Sequence, residues 1–409
     1  MSAYAFLAGR SDARPPAFGS WRSPFGVPLD VALGRLALIV LFVLVPLFNP
    51  PLWEPGEERV YLGLPLGLLA AVCSIRPVVE GRYFWVLLGW GLALAYAFEA
   101  GLLRGDLSAG VLGNVYRPIS VVIVFCACAI LLREADRELW IRLFLLGGIV
   151  GCGLAVLHAL VPAIDPFGPS RPNMDVPYVV SGRREEGAFA YPGNLGPYAA
   201  YVAIVALVTM ERLRGRLLRP SLYAAAAAAG ALAVVASASR AAALALLVGV
   251  LAVAVRSARL RLPLVVGGAA VCVVGVLILW VSGPRGEIVE SKVSGIRSSF
   301  DVRYESWKDS LEIVRDHPLF GGGIRPDTVD GTVFYLLGVG GIVGLAIVAA
   351  MLWFTLLRPF TGRDWTGLPL ILGAAAISIL QDVLGTPLTT WALAAGIFLL
   401  AEPKALYRE

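Results

Sequence analysis

Charged residues, histidines and cysteines are scarce in this sequence. Only 15% of its 409 residues are Asp, Glu, Lys or Arg, whereas 58% are hydrophobic. The mean hydropathy is +0.77. Soluble globular domains carry about 25% charged residues, so the composition excludes that class. It predicts instead an all-α polytopic membrane protein.

The few potential metal ligands do not form a metal-binding pattern. The chain has two histidines and five cysteines, without a CxxC motif or a Cys/His cluster. All the cysteines lie in apolar runs; they are Cys73, Cys126, Cys128, Cys152 and Cys272. The sequence therefore predicts no zinc site, no disulfide framework and no cofactor.

Lysine is scarce too, so the net charge of +5 comes from arginine. A basic chain can bind nucleic acid, but here the arginines cluster in short gaps between apolar runs. That placement is typical of the cytoplasmic loops of membrane proteins. We therefore expect membrane lipid, and no nucleic acid, among the partners.

Twelve apolar runs, most of them long enough to span a bilayer, predict a transmembrane domain over 29–401. They lie near 29–48, 60–76, 83–101, 108–132, 140–162, 195–212, 220–238, 240–256, 262–282, 333–357, 366–385 and 387–401. Residues 1–28 and 402–409 are expected to be tails, the first of them not a signal peptide. The stretch 237–241 predicts either a tight hairpin or a break in one bent element.

The distribution of Lys and Arg orients these predicted spans. If the N-terminus is inside, the inner segments hold 19 such residues and the short outer segments hold only Arg59, Arg104, Arg117 and Arg240. The rule applies to short loops, so the long loops 163–194 and 283–331 are left out of this comparison. It predicts that both termini are cytoplasmic and that both long loops face outward.

The second long loop contains a stretch with helical period. Phe300, Tyr304, Trp307, Leu311 and Val314 recur at steps of four and three residues and form one apolar stripe. The residues off the stripe are Arg303, Glu305, Lys308, Asp309, Glu312 and Arg315. The pattern indicates an amphipathic helix on the membrane surface, its charged side facing a water-filled site, or a solvated helix packed over the membrane domain.

Charged residues near the outer ends of spans point to a site on that side. Charge at membrane depth is costly and usually functional, which draws attention to Arg117, Arg240 and Asp382. Structural alternatives are an ion pair of Arg117 with Asp106, and a helix-end or headgroup contact of Arg240.

The first long loop ends in a charge cluster, RREEGAFAYPGNLGPY, that includes Arg184 and Glu186. Such a cluster is usually just solvated, but this one lies next to a membrane entry and opposite the second loop. Asn194 is expected to cap the span that follows.

Four patterns occur in an order that resembles the O-antigen ligase/polymerase superfamily, which includes O-antigen ligases and Wzy-type polymerases. They are R-x-x-G-x-F-x-x-P-x-N within 182–194, S-x-S-R at 237–240, R-x-x-x-W followed by P-L-x-G-x-G within 303–323, and a polar dipeptide before L-x-x-x-G-x-x-G within 330–344. The resemblance covers about 180–345; the first five spans match only as a number of hydrophobic segments.

The resemblance implies a membrane glycosyltransferase with a GT-C-like helical fold in the bacterial inner membrane, its active site facing the periplasm. Donor and acceptor would be undecaprenyl-pyrophosphate-linked oligosaccharides, with a flippase and a chain-length regulator as further partners. Ligases of the family carry a His-Asn pair at the end of the second outer loop. Asp330-Gly331 stands there in this chain, which favours the polymerase branch over ligation to lipid A core.

The resemblance also implies residue roles. Arg184, Arg240 and Arg303 would bind the pyrophosphate, because a guanidinium stays charged and can donate two hydrogen bonds to phosphate. Arg117 and Arg325 are weaker substrate-binding candidates.

A carboxylate must take the proton of the attacking hydroxyl. Asp330 is the first candidate by position, followed by Glu186, Glu305 and Asp382. No acidic pair has metal-ligand spacing, so metal-independent chemistry is predicted. Trp307 and Tyr304 could stack on sugar faces, although packing is the more economical explanation of their spacing. The three glycines at 321–323 predict a helix stop, and the alternative is that their backbone N–H groups bind an anion.

Three functions remain open from the sequence. The favoured one is a polymerase of lipid-linked repeat units, and the second is a ligase that transfers glycan to a lipid or protein acceptor. The third is a lipid-linked glycan flippase or transporter, but the internal repeats typical of transporters are absent.

Overall fold

The computed structural model describes residues 29–49, 51–53, 60–79, 124, 127–128, 131–132, 137–161, 192–212, 220–237, 239–257, 267–268, 304–322, 331–352, 366–380 and 387–400. The helices in these ranges are α1 (Leu29–Val43), α2 (Gly63–Val79), α3 (Arg137–Leu160), α4 (Pro192–Arg212), α5 (Pro220–Ser237), α6 (Arg240–Arg256), α7 (304–316), α8 (Thr332–Leu352), α9 (Leu368–Leu380) and α10 (Pro387–Leu400). Strands β1 (Pro51–Trp53) and β2 (Val60–Tyr61) form a short antiparallel pair between α1 and α2. Apart from that pair, the all-α prediction is confirmed for this part of the chain.

Helix α4 lies at the centre of the bundle. All residues in 195–209 are buried, and the helix packs against α3, α5, α6, α9 and α10. A Cβ added to Gly230 of α5 would lie 2.6 Å from the carbonyl oxygen of Ala199, and one added to Gly249 of α6 would lie 2.5 Å from a methyl carbon of Ile204. Small residues thus let the neighbouring helices approach α4 closely, as is common between membrane helices.

The outer helices bury small residues and expose large apolar ones. On α6, Ala245 and Gly249 are buried, whereas Leu247, Leu251 and Val255 are 55%, 54% and 78% exposed. Similar rows lie on α1 and α3; they are Leu29, Leu33, Leu36, Leu146, Val150 and Leu157. Water-soluble monomers rarely expose contiguous apolar surface on this scale. The exposed rows therefore support a membrane protein whose outer helices contact hydrocarbon.

Helix α3, with 24 residues, is the one described helix that is long and apolar enough to cross a membrane by those two criteria alone. Shorter apolar helices occur at Pro65–Ser74, Ser221–Ser237, Val333–Ala346, Leu368–Ser378 and Thr389–Leu400. The predicted span 83–101 and nearly all of 108–132 and 262–282 lie outside the described residues. The number of twelve spans, the GT-C likeness and the two outer loops therefore stay predictions.

Two local expectations are decided by the helix boundaries. Helix α4 begins at Pro192, so the prediction that Asn194 caps this helix is wrong; proline favours the first helical position because its fixed φ suits a helix. The stretch 237–241 separates two helices, α5 and α6, and each of them packs on α4.

Several helix ends meet at one end of the bundle, around the last carbonyl groups of α10. Arg212, at the end of α4, donates a hydrogen bond of 3.2 Å to the carbonyl oxygen of Leu400. The hydroxyl of Thr366 donates to the same oxygen at 2.9 Å. Arg137, at the start of α3, donates to the carbonyl oxygen of Leu399. Cations and donors at a helix C-terminus satisfy carbonyl groups that have no partner within the helix. The sequence predicts these ends to be cytoplasmic, and that side assignment stays a prediction.

Arg212→Ala is expected to lower the free energy of unfolding by about 1–2 kcal/mol, because a charged donor to a helix-end carbonyl is lost while Thr366 still satisfies that oxygen. Thermal unfolding of the purified protein in detergent measures the change. Arg142→Ala is the control, because Arg142 pairs with Glu138 at a half-exposed site and such pairs contribute at most about 1 kcal/mol. Equal effects of both substitutions would contradict the role assigned to Arg212.

Candidate functional site

The start of α4 lies against the turn between α5 and α6. A Cβ added to Gly196 would lie 2.7 Å from the Cβ of Ser239, and 2.9 Å from both the Oγ of Ser237 and the Cβ of Ala242. Such distances leave no room for a side chain at residue 196. The structure thus brings the start of α4, which directly follows the predicted first outer loop in the sequence, next to the S-x-S-R pattern.

The two serines of S-x-S-R build the turn. The hydroxyl of Ser237 donates to the carbonyl oxygen of Val234 at 2.8 Å and accepts from the backbone N–H of Ser239 at 3.3 Å. Ser239 is the N-cap of α6, and its side chain accepts from the backbone N–H of Ala242 at 3.4 Å. The turn therefore holds the residue after Ser239 in a defined place at the start of α6.

Arg240 is the first residue of α6 and is exposed. A cation at a helix N-terminus is disfavoured by the helix dipole, by about 0.3–1 kcal/mol. Since Ser239 already caps α6, Arg240 does not stabilise that helix, and no hydrogen bond or ion pair joins its side chain to another described residue. An exposed guanidinium at a helix N-terminus is a suitable partner for a phosphate.

Helix α7 packs alongside the first part of α8 and runs parallel to it. The rings of Trp307 and Phe334 stack with centroids 4.9 Å apart and an interplanar angle of 16°. One turn on, Ser310 is 1% exposed, and a Cβ added to Gly338 would lie 3.6 Å from its Cβ. The amphipathic helix is therefore present over 304–316, and it is packed on another helix.

The predicted apolar stripe is not the packed face of α7. Tyr304 and Leu311 are 54% and 50% exposed, whereas Ser310 is the buried residue of the helix. Gly338 of α8 lies opposite Ser310 and has no side chain of its own. The two helices are therefore in contact at Ser310. Trp307 packs against α8, as the sequence favoured, whereas Tyr304 and Leu311 of the same stripe stay about half exposed.

The exposed half of the stripe lines an open groove of about 280 Å³ between α7 and α8. Its lining residues are Tyr304, Trp307, Lys308, Leu311, Glu312, Arg315 and Phe334. Aromatic rings and Leu311 form its apolar surface, and charged groups of both signs accompany them. Glu305 lies outside this lining and is within 3.9 Å of the ammonium group of Lys308. An apolar surface bordered by charges is suited to an amphipathic ligand such as a sugar ring or a lipid chain.

The structure describes three of the ten predicted site residues: Arg240, Glu305 and Trp307. Contacts place Arg240 near the start of α4, and Trp307 on α8. The other seven lie outside the described residues; they are Arg117, Arg184, Glu186, Arg303, Arg325, Asp330 and Asp382. Whether these residues meet in one site stays a prediction.

Two structural features are not predicted by the sequence patterns. Ser310 and Gly338 form the helix contact, and Gly341 interrupts α8; the glycines at 338, 340 and 341 were the available signal.

No group of three potential metal ligands occurs in the part of the chain that the structure describes, and the metal-independent chemistry stays a prediction.

Comparison with known proteins agrees with the sequence patterns. Residues 224–339 match a family model described as O-antigen ligase. That region begins in α5, contains the S-x-S-R turn and the α7 groove, and ends just before the break in α8. The curated proteins contain no match. This match over residues 224–339 supports membership of the O-antigen ligase/polymerase superfamily.

Proposed function

We propose that the protein is a polymerase that joins polyprenyl-pyrophosphate-linked oligosaccharide repeat units at the periplasmic face of the bacterial inner membrane. The observation that carries the proposal is the exposed Arg240 at the capped start of α6, within the O-antigen ligase region. The Asp330-Gly331 pair, in place of the His-Asn pair of the family's ligases, favours polymerisation.

In the proposed reaction, a hydroxyl oxygen of the acceptor sugar attacks the anomeric carbon of the donor. The bond between that carbon and the pyrophosphate oxygen breaks, and polyprenyl pyrophosphate leaves with the electron pair. Arg240, Arg303 and Arg184 stabilise the negative charge on the leaving group, with Arg117 and Arg325 as weaker contributors. The hydroxyl proton passes to a carboxylate, with Asp330 preferred to Glu186, Glu305 and Asp382.

The α7 groove is assigned in this proposal to the glycan. Tyr304 and Leu311 present exposed apolar surface, and Lys308, Glu312 and Arg315 supply hydrogen-bonding groups beside it. Such surroundings suit the apolar face and the hydroxyl rim of a sugar ring. Trp307 has one ring face against Phe334, so its role is to build the wall of the groove.

A ligase is the second candidate, because the matching family model is described as O-antigen ligase. The same arginines would serve the same leaving group, and only the acceptor would differ. A lipid or protein acceptor other than lipid A core is compatible with the missing histidine.

The glycan profile of a deletion strain distinguishes these functions. For a polymerase, the polymer ladder disappears while single repeat units remain or reach the acceptor. Full-length polymer persisting on the polyprenyl carrier without an acceptor would show a ligase. Unpolymerised units trapped on the cytoplasmic side would show a flippase and would refute both proposals.

A further inference from the structure

Helix α8 is interrupted at Gly341, and the interruption is filled by the turn that follows α7. Gly341 has φ 59° and ψ −158°, a combination that is essentially restricted to glycine. The backbone N–H groups of Ile342 and Val343 donate to the carbonyl oxygens of Pro318 and Leu319, both at 3.0 Å. Groups that a break in a helix would leave unpaired thus obtain partners from another segment.

A third hydrogen bond completes this junction. The backbone N–H of Gly322 donates to the carbonyl oxygen of Gly338 at 2.7 Å. Residues 318–322, the described part of the P-L-x-G-x-G segment, therefore end α7, as the sequence favoured for 321–323, and their backbone is also joined to α8. The alternative of an anion site at 321–323 is not needed to explain Gly321 and Gly322.

Gly321 and Gly341 touch backbone to backbone. A Cβ on Gly321, whose φ is +65°, would lie 2.5 Å from the backbone nitrogen of Gly341. A Cβ on Gly341 would lie 2.6 Å from the nitrogen of Gly321 and 2.6 Å from the carbonyl oxygen of Leu319. Backbone atoms cannot move aside as a flexible side chain can, so neither position accepts a side chain without separating the two segments. Gly340 differs, because a Cβ there meets nothing within 4 Å.

The Gly321–Gly341 contact holds the C-terminal end of α7 against α8. Near the N-terminal end of α7, Trp307 packs on Phe334 of α8. The groove is lined by six residues of α7 and by Phe334 of α8, so its shape depends on how α7 is held against α8. Neither glycine has a side chain that could react or bind the substrate.

We propose that Gly321 and Gly341 are positioning residues for glycan transfer, and that α7 works as a rigid platform fixed to α8. The proposal rests on the proposed function, since it assigns the platform to the same transfer. A displacement of about 1 Å in a positioning element can cost on the order of 10²-fold in rate. The expected effect of separating the two glycines is a loss of that size.

The test uses a removable tether as a second means of holding α7. The Cβ positions of residues 310 and 338 lie 3.6 Å apart, which is within the range of a disulfide. Ser310→Cys and Gly338→Cys are introduced together into the full-length protein, alone or with Gly341→Ala or Gly340→Ala. Purified proteins in lipid vesicles are oxidised or reduced, and linked peptides are quantified by mass analysis. Transfer is measured with a synthetic polyprenyl-pyrophosphate-linked oligosaccharide.

The proposal predicts that the double-cysteine protein and its Gly340→Ala derivative form the cross-link readily and transfer glycan in both redox states. The Gly341→Ala derivative should cross-link slowly and, when reduced, transfer about 100-fold more slowly. Oxidation should restore most of its activity, and renewed reduction should abolish it again. A merely unfolded variant would not regain activity in this reversible way.

Three results would overturn the proposal. Rapid cross-linking or normal transfer by the reduced Gly341→Ala derivative would show that the glycine contact does not hold α7. Failure of oxidation to restore transfer would refute a positioning role. Loss of transfer on oxidation of the double-cysteine protein would show that α7 must move. If that protein cross-links but transfers no glycan in either state, the proposed function itself fails, and the positioning role with it.

Discussion

Replacing Arg240 with alanine is expected to lower glycan transfer by about 10²–10³-fold, which is the usual cost of removing one donor that stabilises charge in a transition state. The folded protein should remain in the membrane at a normal level. Arg240 is exposed at the start of α6, and Ser239 rather than Arg240 caps that helix. Its loss therefore removes charge from the predicted site without removing a structural contact among the described residues. Initial rates with a polyprenyl-pyrophosphate-linked donor measure the effect.

The same helix supplies the control. Arg256 lies in the last turn of α6, at the end opposite to Arg240, and its guanidinium is 3.7 Å from a carboxylate oxygen of Glu211. Arg256→Ala should therefore change the rate of glycan transfer by less than about threefold, beyond any loss of folded protein. Arg240→Lys keeps the charge but loses the two-bond geometry of guanidinium, and an intermediate rate is expected. Wild-type transfer by Arg240→Ala, at equal protein level, would remove Arg240 from the mechanism.

Replacing Gly147 with alanine is expected to lower the free energy of unfolding by at least about 3 kcal/mol, at the upper end of the usual cost of overpacking. A Cβ at this position of α3 would lie 1.9 Å from the carbonyl oxygen of Phe42 and 3.1 Å from the Cα of Val43, both in α1. The obstacle is backbone, so α1 and α3 would have to separate. Near Gly147, the aromatic contacts of Phe42 with Trp140 and Phe144 would be disturbed as well.

Gly153 of the same helix provides a matched substitution. A Cβ at Gly153 meets nothing within 4 Å, so Gly153→Ala should be neutral or stabilise by up to about 1 kcal/mol through helix propensity. Thermal unfolding in detergent, together with the yield of monodisperse protein, compares the two variants. Equal stability of both would contradict the close approach of α1 and α3.

The central helix of the bundle was well predicted by composition and pattern. The sequence over 195–208 is apolar on all sides, as a helix with neighbours all around requires. The stretch 237–241 predicts a tight hairpin or a break in one bent element, and the structure separates α5 and α6 there. Its serines then form the hydrogen bonds that such residues favour at helix ends.

The packing of α7 could not be predicted from its own sequence. The apolar stripe identified the helix, but the buried position is Ser310, since its partner is Gly338. A helical pattern shows which residues share a face and does not show what the neighbouring helix offers to that face. The break at Gly341 escaped for the same reason, because residues 333–357 read as one apolar run. Only hydrogen bonds from residues distant in sequence make the interruption stable.

The candidate site residues are predicted mainly from the ordered patterns, and the match of residues 224–339 to the O-antigen ligase model supports the superfamily that these patterns indicate. Arginine in S-x-S-R stands out because charge is costly beside apolar runs, and the structure leaves it exposed at a capped helix start. Carboxylate and arginine candidates elsewhere rest on the motifs alone. Their spatial relation depends on long-range packing, which local spacing does not encode.

The measurement that tests the account most directly is glycan transfer by the purified full-length protein in lipid vesicles. A defined polyprenyl-pyrophosphate-linked oligosaccharide is the only sugar substrate, and both products are quantified by mass analysis. A polymerase is expected to form lipid-linked products of two and more repeat units and to release one free polyprenyl pyrophosphate for each linkage formed, and Arg240→Ala is expected to form almost no product. If the substrate crosses the vesicle membrane without forming a glycosidic bond, the protein is a carrier and the transferase proposal is wrong.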